Sequence, residues 1–349
     1  MNDLHVMSMS ESPAALPALL VGQDGRPVTV LSQWPARRDE LHRLSIPLAY
    51  GRWPAIPRVT GCTLLHLATV RTLGDARLWT CRVTADGAHA FLMRLFAPAG
   101  AGPFPVVLHG DGCWQYASDT VIAELLHRSY AFAQFNRVEV APDMPGPGQP
   151  VAALAAWAWA YHRAVDAVLQ FDLVDATRIA VVGHSRGGKA ALLAGATDAR
   201  IALTSANNSG AGGAGCWRWR GPGAESLANI TQSFPYWFGP DLAAWAAREH
   251  ALPFDQHFLK ALVAPRALLT TEALDDHWAN PLGTWHTHQA AREVYTWLGA
   301  PQQLAIRYRP GGHAHAPADW TALLDFADHV FHGAPRPTGL DVPPLGVAA

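Results

Sequence analysis

The sequence predicts an α/β fold: a mostly parallel central sheet, antiparallel in its N-terminal part, with helices on both faces. Two observations lead to this prediction. Strand-like and helix-like segments alternate along the chain, which is typical of parallel strands joined by crossover helices. From residue 104 onward the strand-like segments are short, continuous apolar runs, as expected of strands buried on both faces. Half of the 349 residues are hydrophobic, enough for a large core.

The individual elements follow from hydrophobic periodicity and from the turn residues between them. The first two strand segments are expected to pair as an antiparallel meander. The predicted strands are residues 58–70, 76–84, 90–98, 104–110, 131–141, 178–185, 201–210, 266–274 and 304–312. The predicted helices are residues 151–170, 187–197, 241–249, 284–299 and 318–332. Ligands of such a sheet gather at the carboxyl ends of the strands.

One domain is predicted over residues 26–335, between two flexible ends. Residues 1–25 and the Pro-rich residues 336–349 lack a strand or helix pattern. The apolar piece of the N-terminal segment is short and no basic stretch precedes it, so it does not resemble a secretion signal. We therefore expect a cytoplasmic protein, or a secreted one whose signal has been removed.

The composition argues against some classes of binding partner. The net charge is −2 at pH 7 without a basic block, so we expect no nucleic-acid partner. No apolar run reaches the roughly 18 residues of a membrane span, so we expect no membrane partner. The four cysteines are scattered without a C-x-x-C pair, which argues against a zinc site and leaves disulfides open. The oligomeric state is also left open.

A glycine-flanked serine is the main functional signal. Gly183-His184-Ser185-Arg186-Gly187 fits G-x-S-x-G between a predicted strand and a predicted helix, the context of a nucleophile elbow. A plain strand-to-helix turn is the simpler alternative. In an elbow, the Arg186 N–H at the start of the helix helps to stabilise an oxyanion. The glycine-rich loop at residues 109–114 is expected to supply a second N–H donor.

Partners for the serine follow in the chain order serine, acid, histidine, which the α/β-hydrolase fold requires. Asp275 and Asp276 come directly after one predicted strand, and His313 and His315 follow the last strand and two glycines. We expect His313 to be the general base, with His315 as the alternative. A metal role for these two histidines is weaker, because no further ligands complete a site. Neither a metal nor an organic cofactor is expected.

An ordered set of motifs resembles carbohydrate esterase family 15, the glucuronoyl esterases. The family elbow G-C-S-R-x-G-K is matched here except that His184 replaces the cysteine. Further matches are the segments SGAGGAGCWR, LPFDQHFLKALVAPRALL, DDHWANPLG and QWPARRDEL, and the similarity spans about residues 25–335. The resemblance implies an α/β-hydrolase that cleaves esters between the carboxyl of a glucuronic acid, as on xylan, and an alcohol.

The resemblance also implies roles for single residues. It implies that Lys189 contacts sugar hydroxyls, that the Arg186 guanidinium joins the oxyanion site, and that Trp278 lines the sugar pocket. Gln232 stands near a family position that carries a sugar-binding glutamate, and Glu225 close by is a second candidate for that role.

The catalytic acid is where the sequence departs from the family. Many members place a glutamate where this chain has Asn208, and an amide cannot carry the charge that stabilises an imidazolium. Others use an acid after the later strand, and Asp275 fits that place. We therefore expect Asp275 to be the acid, with Asp276 as the closest rival and Glu272 less favoured.

The main functional hypothesis is thus a serine carboxylesterase that forms an acyl-enzyme. An esterase for other sugar esters, such as acetylated xylan, is the alternative. A non-catalytic sugar-binding module is a third reading, and the retained serine and histidine argue against it.

Overall fold

The computed structural model describes residues 15–145 and 151–344. Its centre is a nine-stranded sheet in the order β1-β2-β3-β5-β4-β6-β7-β8-β9. The strands are β1 (Thr60–Val70), β2 (Ala76–Ala85), β3 (Ala88–Ala97), β4 (Phe104–His109), β5 (Ala131–Phe135), β6 (Val174–His184), β7 (Leu203–Asn207), β8 (Ala267–Ala273) and β9 (Leu304–Arg309). Strands β1 to β3 pair antiparallel, β3 pairs antiparallel with β5, and every pairing from β5 to β9 is parallel. The predicted α/β class, including its antiparallel N-terminal part, is confirmed.

Helices cover the sheet on both faces. They are α1 (Trp34–Tyr50), α2 (Asp119–His127), α3 (Ala153–Val168), α4 (Arg186–Thr197), α5 (Leu227–Ser233), α6 (His257–Val263), α7 (Pro281–Trp297) and α8 (Pro317–His332). Alternate residues of β4 enter different cores: Val106 and Leu108 pack on the face of α3 and α4, and Val107 packs on the face of α2 and α8. This alternation is why the parallel strands read as unbroken apolar runs.

The helix prediction is wrong in one place and incomplete in others. Residues 241–249 form only short 3-10 turns, at Leu242–Trp245 and Glu249–Ala251. Helices α5 and α6 have seven residues each, which is too short to show a 3.6-residue period. Helix α1 contains Pro47, a residue that argues against a helix in a sequence.

Parts of both chain ends that were predicted to be flexible contact the domain. Leu19 is buried, and its carbonyl oxygen accepts a 2.8 Å hydrogen bond from Arg37 Nε. At the other end Asp341 binds the edge strand β9: its N–H donates to the Ile306 oxygen at 2.8 Å, and its Oδ1 accepts from the Ile306 N–H at 3.0 Å. Arg336 Nη2 also donates to Asp341, at 2.7 Å. The described parts of both ends are therefore tied to the domain, and the rest of the prediction, for residues 1–14 and 345–349, lies outside the described residues.

The topology brings the functional loops together. Strands β4, β6, β7, β8 and β9 run parallel, so the segments that follow them meet at one edge of the sheet. Across the described ranges, the helices include none that is long and apolar enough to cross a bilayer. All four cysteines are free thiols in the structure.

We expect Asp341→Ala to lower the free energy of unfolding by about 1.5–3 kcal/mol, because it removes a charged acceptor from a backbone N–H and a guanidinium. Burial alone would raise the pKa of Asp341, but its interactions with His288 and Arg336 lower this pKa to about 2. A depressed carboxyl pKa stabilises the fold above the unfolded-state pKa of about 3.9, and the stabilisation is lost as the pH falls through the folded value. Urea unfolding at several pH values should show the difference from the wild type shrinking between about pH 4 and pH 2.

Asp24→Ala is the matched control for that variant. Asp24 and Arg26 form an exposed pair at 3.7 Å, which is worth about 0–1 kcal/mol. Equal losses of stability in the two variants would contradict the anchoring role of Asp341.

Candidate active site

Ser185 lies in a strained turn between β6 and α4. Its φ is 56° and its ψ is −120°, a conformation that non-glycine residues adopt rarely and mostly at functional sites. The two flanking glycines are sterically required. A Cβ on Gly183 would lie 2.2 Å from the Gly187 oxygen, and a Cβ on Gly187 would lie 1.8 Å from Asp111 Oδ1. The predicted motif therefore has the geometry of a nucleophile elbow rather than of an ordinary turn.

A hydrogen-bond chain connects the serine to a histidine and a carboxylate. His313 Nε2 lies 2.9 Å from Ser185 Oγ, and His313 Nδ1 lies 2.6 Å from Asp276 Oδ2. The network assigns the Nδ1 proton to the bond with the carboxylate, which leaves the Nε2 lone pair to accept the serine hydroxyl. Asp276 is buried, whereas the His313 side chain is 45% exposed. This geometry allows proton transfer from Ser185 to His313 with a fixed negative charge behind the imidazole.

The structure corrects the choice of Asp275. Asp275 is exposed, and its Oδ2 accepts the Gly311 N–H at 2.8 Å, so it binds the backbone of the histidine loop instead of the imidazole. Asp276 begins a short 3-10 helix and is the residue that turns inward. The loop therefore brings the next residue along the chain, rather than Asp275, into contact with His313. Glu272 is fully buried within β8, and among the described contacts none joins it to His313.

Asn208 has a structural place beside the triad. Its amide nitrogen donates to the Ala314 oxygen at 3.1 Å, and its amide oxygen accepts the Ala273 N–H at 2.7 Å. One side chain thus connects the histidine loop with the end of β8, next to Asp276. This double contact uses both the donor and the acceptor of an amide, a function that a carboxylate could not perform.

The second histidine of the His-Ala-His segment packs instead of contacting the serine. The His315 ring stacks on Trp320 with centroids 4.4 Å apart, and burial lowers the pKa of His315 well below its ordinary value. In the part of the chain that the structure describes, no group of three or more His, Cys, Asp or Glu side chains is placed to hold a metal ion. Of the two candidates for the base, only His313 is therefore in position.

His184, which the resemblance marks as a departure, is also held as a neutral group. Its Nδ1 is hydrogen-bonded to the Asn207 side-chain oxygen, and its ring stacks on Trp114 at 4.9 Å. Burial, with a smaller contribution from the charge of His313, lowers the pKa of His184 to about 4. The His184 and His313 ring centroids are 4.6 Å apart, so this imidazole packs directly against the one that contacts the serine.

Backbone amides for an oxyanion come from the start of α4 and, as candidates, from the loop after β4. Arg186 starts α4, so its N–H lies at a helix N-terminus next to Ser185. In the loop after β4, the N–H groups of Gly112, Trp114 and Gln115 donate to backbone oxygens. The N–H groups of Asp111 and Cys113, in the same stretch, have no backbone acceptor within residues 15–145 and 151–344. The sequence indicated this loop, and either of these two residues can supply its N–H donor.

The Arg186 side chain is held by groups that the sequence did not indicate. Its Nη1 is paired with Asp143, and its guanidinium lies over the Trp237 ring, 5.2 Å from the centroid. Asp143 lies in the segment after β5, and Trp237 follows α5. No pattern in the sequence connects these loop residues with the elbow.

Two cavities, each of about 380 Å³, flank Ser185. Both are lined by Ser185, Arg186 and His313. The first, called the polar cavity below, is completed by Lys189, Asn208, Gly210, Glu225, Phe234, Trp237, Asp276, Trp278 and Ala279. The second, called the outer cavity, is completed by Asp111, Cys113, Trp114, Arg137, Val138, Asp143 and His184. The nucleophile thus stands between two spaces, as an ester with groups on both sides requires.

The polar cavity contains most of the predicted binding residues. Lys189 is buried, its Nζ donates to the Ser209 oxygen at 2.6 Å, and burial, opposed by the charge of Glu225, lowers its pKa to about 8. Burial raises the pKa of Glu225, against the effect of Lys189. Trp278 is 54% exposed at the rim, and its backbone oxygen accepts the Glu225 N–H at 3.1 Å.

Gln232 does not line this cavity, and its assignment as a binding residue stays a prediction. It lies on α5, whose buried residues are Leu227, Ile230 and Thr231, and Gln232 itself is exposed. The short helix presents its polar side to solvent, and the cavity is lined instead by residues just before and just after it.

Comparisons with known proteins agree with this geometry. The family model of fungal glucuronyl esterases matches residues 82–299. A 4-O-methyl-glucuronoyl methylesterase of Phanerochaete chrysosporium is 31% identical over 87% of this chain, which spans 66% of the length of that relative.

Two solved structures of glucuronoyl esterases are also similar to this chain. A family 15 glucuronoyl esterase of Caldicellulosiruptor kristjansonii superposes with a TM-score of 0.81 at 30% identity, covering 94% of this chain and 93% of the other. A mutant glucuronoyl esterase of Sporotrichum thermophile, in complex with methyl 4-O-methyl-β-D-glucopyranuronate, has a TM-score of 0.76 at 27% identity, covering 94% and 90%. The chain therefore belongs to the glucuronoyl esterases of carbohydrate esterase family 15, carboxylic ester hydrolases with the α/β-hydrolase fold.

Proposed function

We propose that this protein hydrolyses esters of glucuronic acid, including 4-O-methyl-glucuronic acid, with Ser185 as the nucleophile. The observation that carries the proposal is the hydrogen-bond chain from Ser185 through His313 to Asp276, placed between the two cavities. The substrates named for its relatives support the uronate as the acyl group. The cytoplasmic location and the absence of nucleic-acid and membrane partners stay predictions.

The reaction follows from the positions of these groups. His313 Nε2 takes the proton of Ser185 Oγ as the oxygen attacks the ester carbonyl carbon, and Asp276 stabilises the imidazolium. The N–H group of Arg186, a second N–H group from the loop after β4 and the Arg186 guanidinium stabilise the oxyanion. The imidazolium then gives its proton to the departing alcohol. Water, activated by the same imidazole, cleaves the acyl-enzyme to glucuronic acid and free Ser185.

The polar cavity suits a uronate ester for a chemical reason. The carboxyl of the substrate is esterified and carries no charge, so recognition depends on the hydroxyl groups of the sugar ring. Lys189 supplies N–H donors and Glu225 supplies acceptor oxygens in a buried setting, where charge-assisted hydrogen bonds are strong. The exposed face of Trp278 at the rim offers an apolar surface for the sugar ring.

We expect Ser185→Ala to lower kcat for benzyl glucuronate by about 10⁴-fold or more, because among the described residues no other hydroxyl or thiol is hydrogen-bonded to His313. A fluorophosphonate probe should label the wild type at Ser185 and leave the variant unlabelled. The wild type should also prefer methyl and benzyl glucuronate to acetylated xylo-oligosaccharides. A reversed preference would favour the acetyl esterase alternative, and unchanged turnover in the variant would rule out the serine mechanism.

Asp276→Asn and Asp275→Asn form a matched pair that differs by one position. In Asp276→Asn the imidazolium loses its counter-charge, and kcat is expected to fall by about 10⁴-fold. In Asp275→Asn the amide oxygen can still accept the Gly311 N–H, so kcat should stay within about tenfold of the wild type. Steady-state kinetics on both variants decides the assignment, and a larger loss in Asp275→Asn would reverse it.

Lys189→Met should raise KM for glucuronate esters by about ten- to a hundredfold, since a charge-assisted hydrogen bond is worth about 1.5–3 kcal/mol. KM for p-nitrophenyl acetate, which has no sugar hydroxyls, should change little. In the wild type, KM for the glucuronate ester should rise as the pH passes about 8, where Lys189 loses its proton. The same KM rise in the methionine variant, or equal effects on both substrates, would contradict sugar recognition by Lys189.

A further inference from the structure

We propose that Asp143 is a positioning residue that fixes the Arg186 guanidinium for oxyanion stabilisation before the substrate arrives. The proposal rests on the proposed function, because it assigns a role within the same site. Asp143 also lines the outer cavity, and the role proposed for it is exerted through its ion pair with Arg186.

The Asp143 carboxylate accepts hydrogen bonds from two other parts of the chain. Arg186 Nη1 donates to its Oδ2, and Trp237 Nε1 and the Tyr236 hydroxyl donate to its Oδ1 at 2.8 Å and 3.1 Å. The Asp143 side chain is 17% exposed, so water has little access to these bonds. The segment after β5, the elbow and the segment after α5 therefore meet at this one carboxylate.

Aromatic rings hold the guanidinium from another direction. It lies 5.2 Å from the Trp237 centroid and 5.7 Å from the Phe234 centroid, at the distance of cation–π contacts. These two rings are themselves stacked, with centroids 3.9 Å apart and an angle of 6°. Trp237 thus contacts Arg186 with its ring and Asp143 with its Nε1, which fixes the cation and its counter-ion relative to each other.

The remaining donors of Arg186 face open space. The Arg186 side chain is 43% exposed and lines both cavities, and within the described residues its Nε and Nη2 have no hydrogen-bond acceptor. A free arginine loses side-chain entropy when it is ordered. When Asp143 and Trp237 order it during folding, that entropy is not lost again as the oxyanion forms.

Asp143→Asn tests this role with little change of shape, because the amide oxygen can still accept from Trp237. Removing an oxyanion donor costs about 10²–10³ in kcat, and loss of its positioning should cost part of that, about ten- to a hundredfold. We expect kcat to decrease while KM stays nearly constant. In an Arg186→Ala background the same substitution should change kcat by less than about twofold, because its effect passes through Arg186.

Asp175→Asn is the matched control. Asp175 forms an Asp–Arg pair with Arg178 at 2.6 Å, outside both cavities, so its loss should leave kcat unchanged. A loss of kcat by Asp143→Asn that persists in the Arg186→Ala background would overturn the proposal, as would an unchanged kcat in the single variant. Thermal unfolding of all variants separates loss of folded protein from loss of rate.

The test can also be made without a glucuronate ester, by measuring the rate at which a fluorophosphonate phosphonylates Ser185. Attack on the probe also develops negative charge on an oxygen, so the same double-variant comparison applies to the labelling rate. If glucuronate esters are not cleaved but the labelling rates show the expected dependence on Arg186, the proposed function fails and the role of Asp143 stands. If esters are cleaved and the labelling rates show no such dependence, the role of Asp143 fails alone.

Discussion

A buried carboxylate beneath the elbow is the constraint on which the rest of the site depends. Asp111 accepts the His184 N–H at 2.8 Å and is paired with the buried Arg137. Burial alone would raise the pKa of Asp111, but Arg137, His109 and the His184 N–H hold this pKa well below its usual range. The carboxylate therefore stays charged at neutral pH. It joins the loop after β4 to the end of β6, directly before Ser185, and it occupies the space that a side chain at residue 187 would need.

The buried carboxyl of Glu272 lies close to the triad. Burial, opposed by the charge of Lys260, raises the pKa of Glu272, and burial lowers the pKa of Lys260. Glu272 lies only four residues before Asp276, and two ionised carboxyl groups at this place would each raise the pKa of the other. The raised pKa of Glu272 reduces its negative charge beside the triad and so lessens this repulsion.

The sequence alone predicts those parts of the structure whose sequence pattern has a local physical cause. Alternating strands and helices predict the sheet, and the glycines around Ser185, with the chain order of the triad, indicate the serine and His313. The choice between Asp275 and Asp276 depends on which residue starts a three-residue 3-10 helix, and no periodicity records that. That Gln232 does not line the polar cavity could not be predicted, because a seven-residue helix gives no readable face. Asp143 was missed because its partners come from loops 43 and 94 residues away along the chain.

The C-terminal segment also affects whether the edge of the sheet can pair with a strand of another molecule. Strand β9 ends the sheet, and an edge strand with free N–H and C=O groups can pair with a strand of another chain. Asp341 occupies both backbone groups of Ile306 in the middle of that strand, so the edge is covered by the protein's own chain. A chain shortened before residue 336 would lose this cover and expose an apolar strand to intermolecular β-pairing. Asp341 therefore covers part of the edge strand that leads to His313.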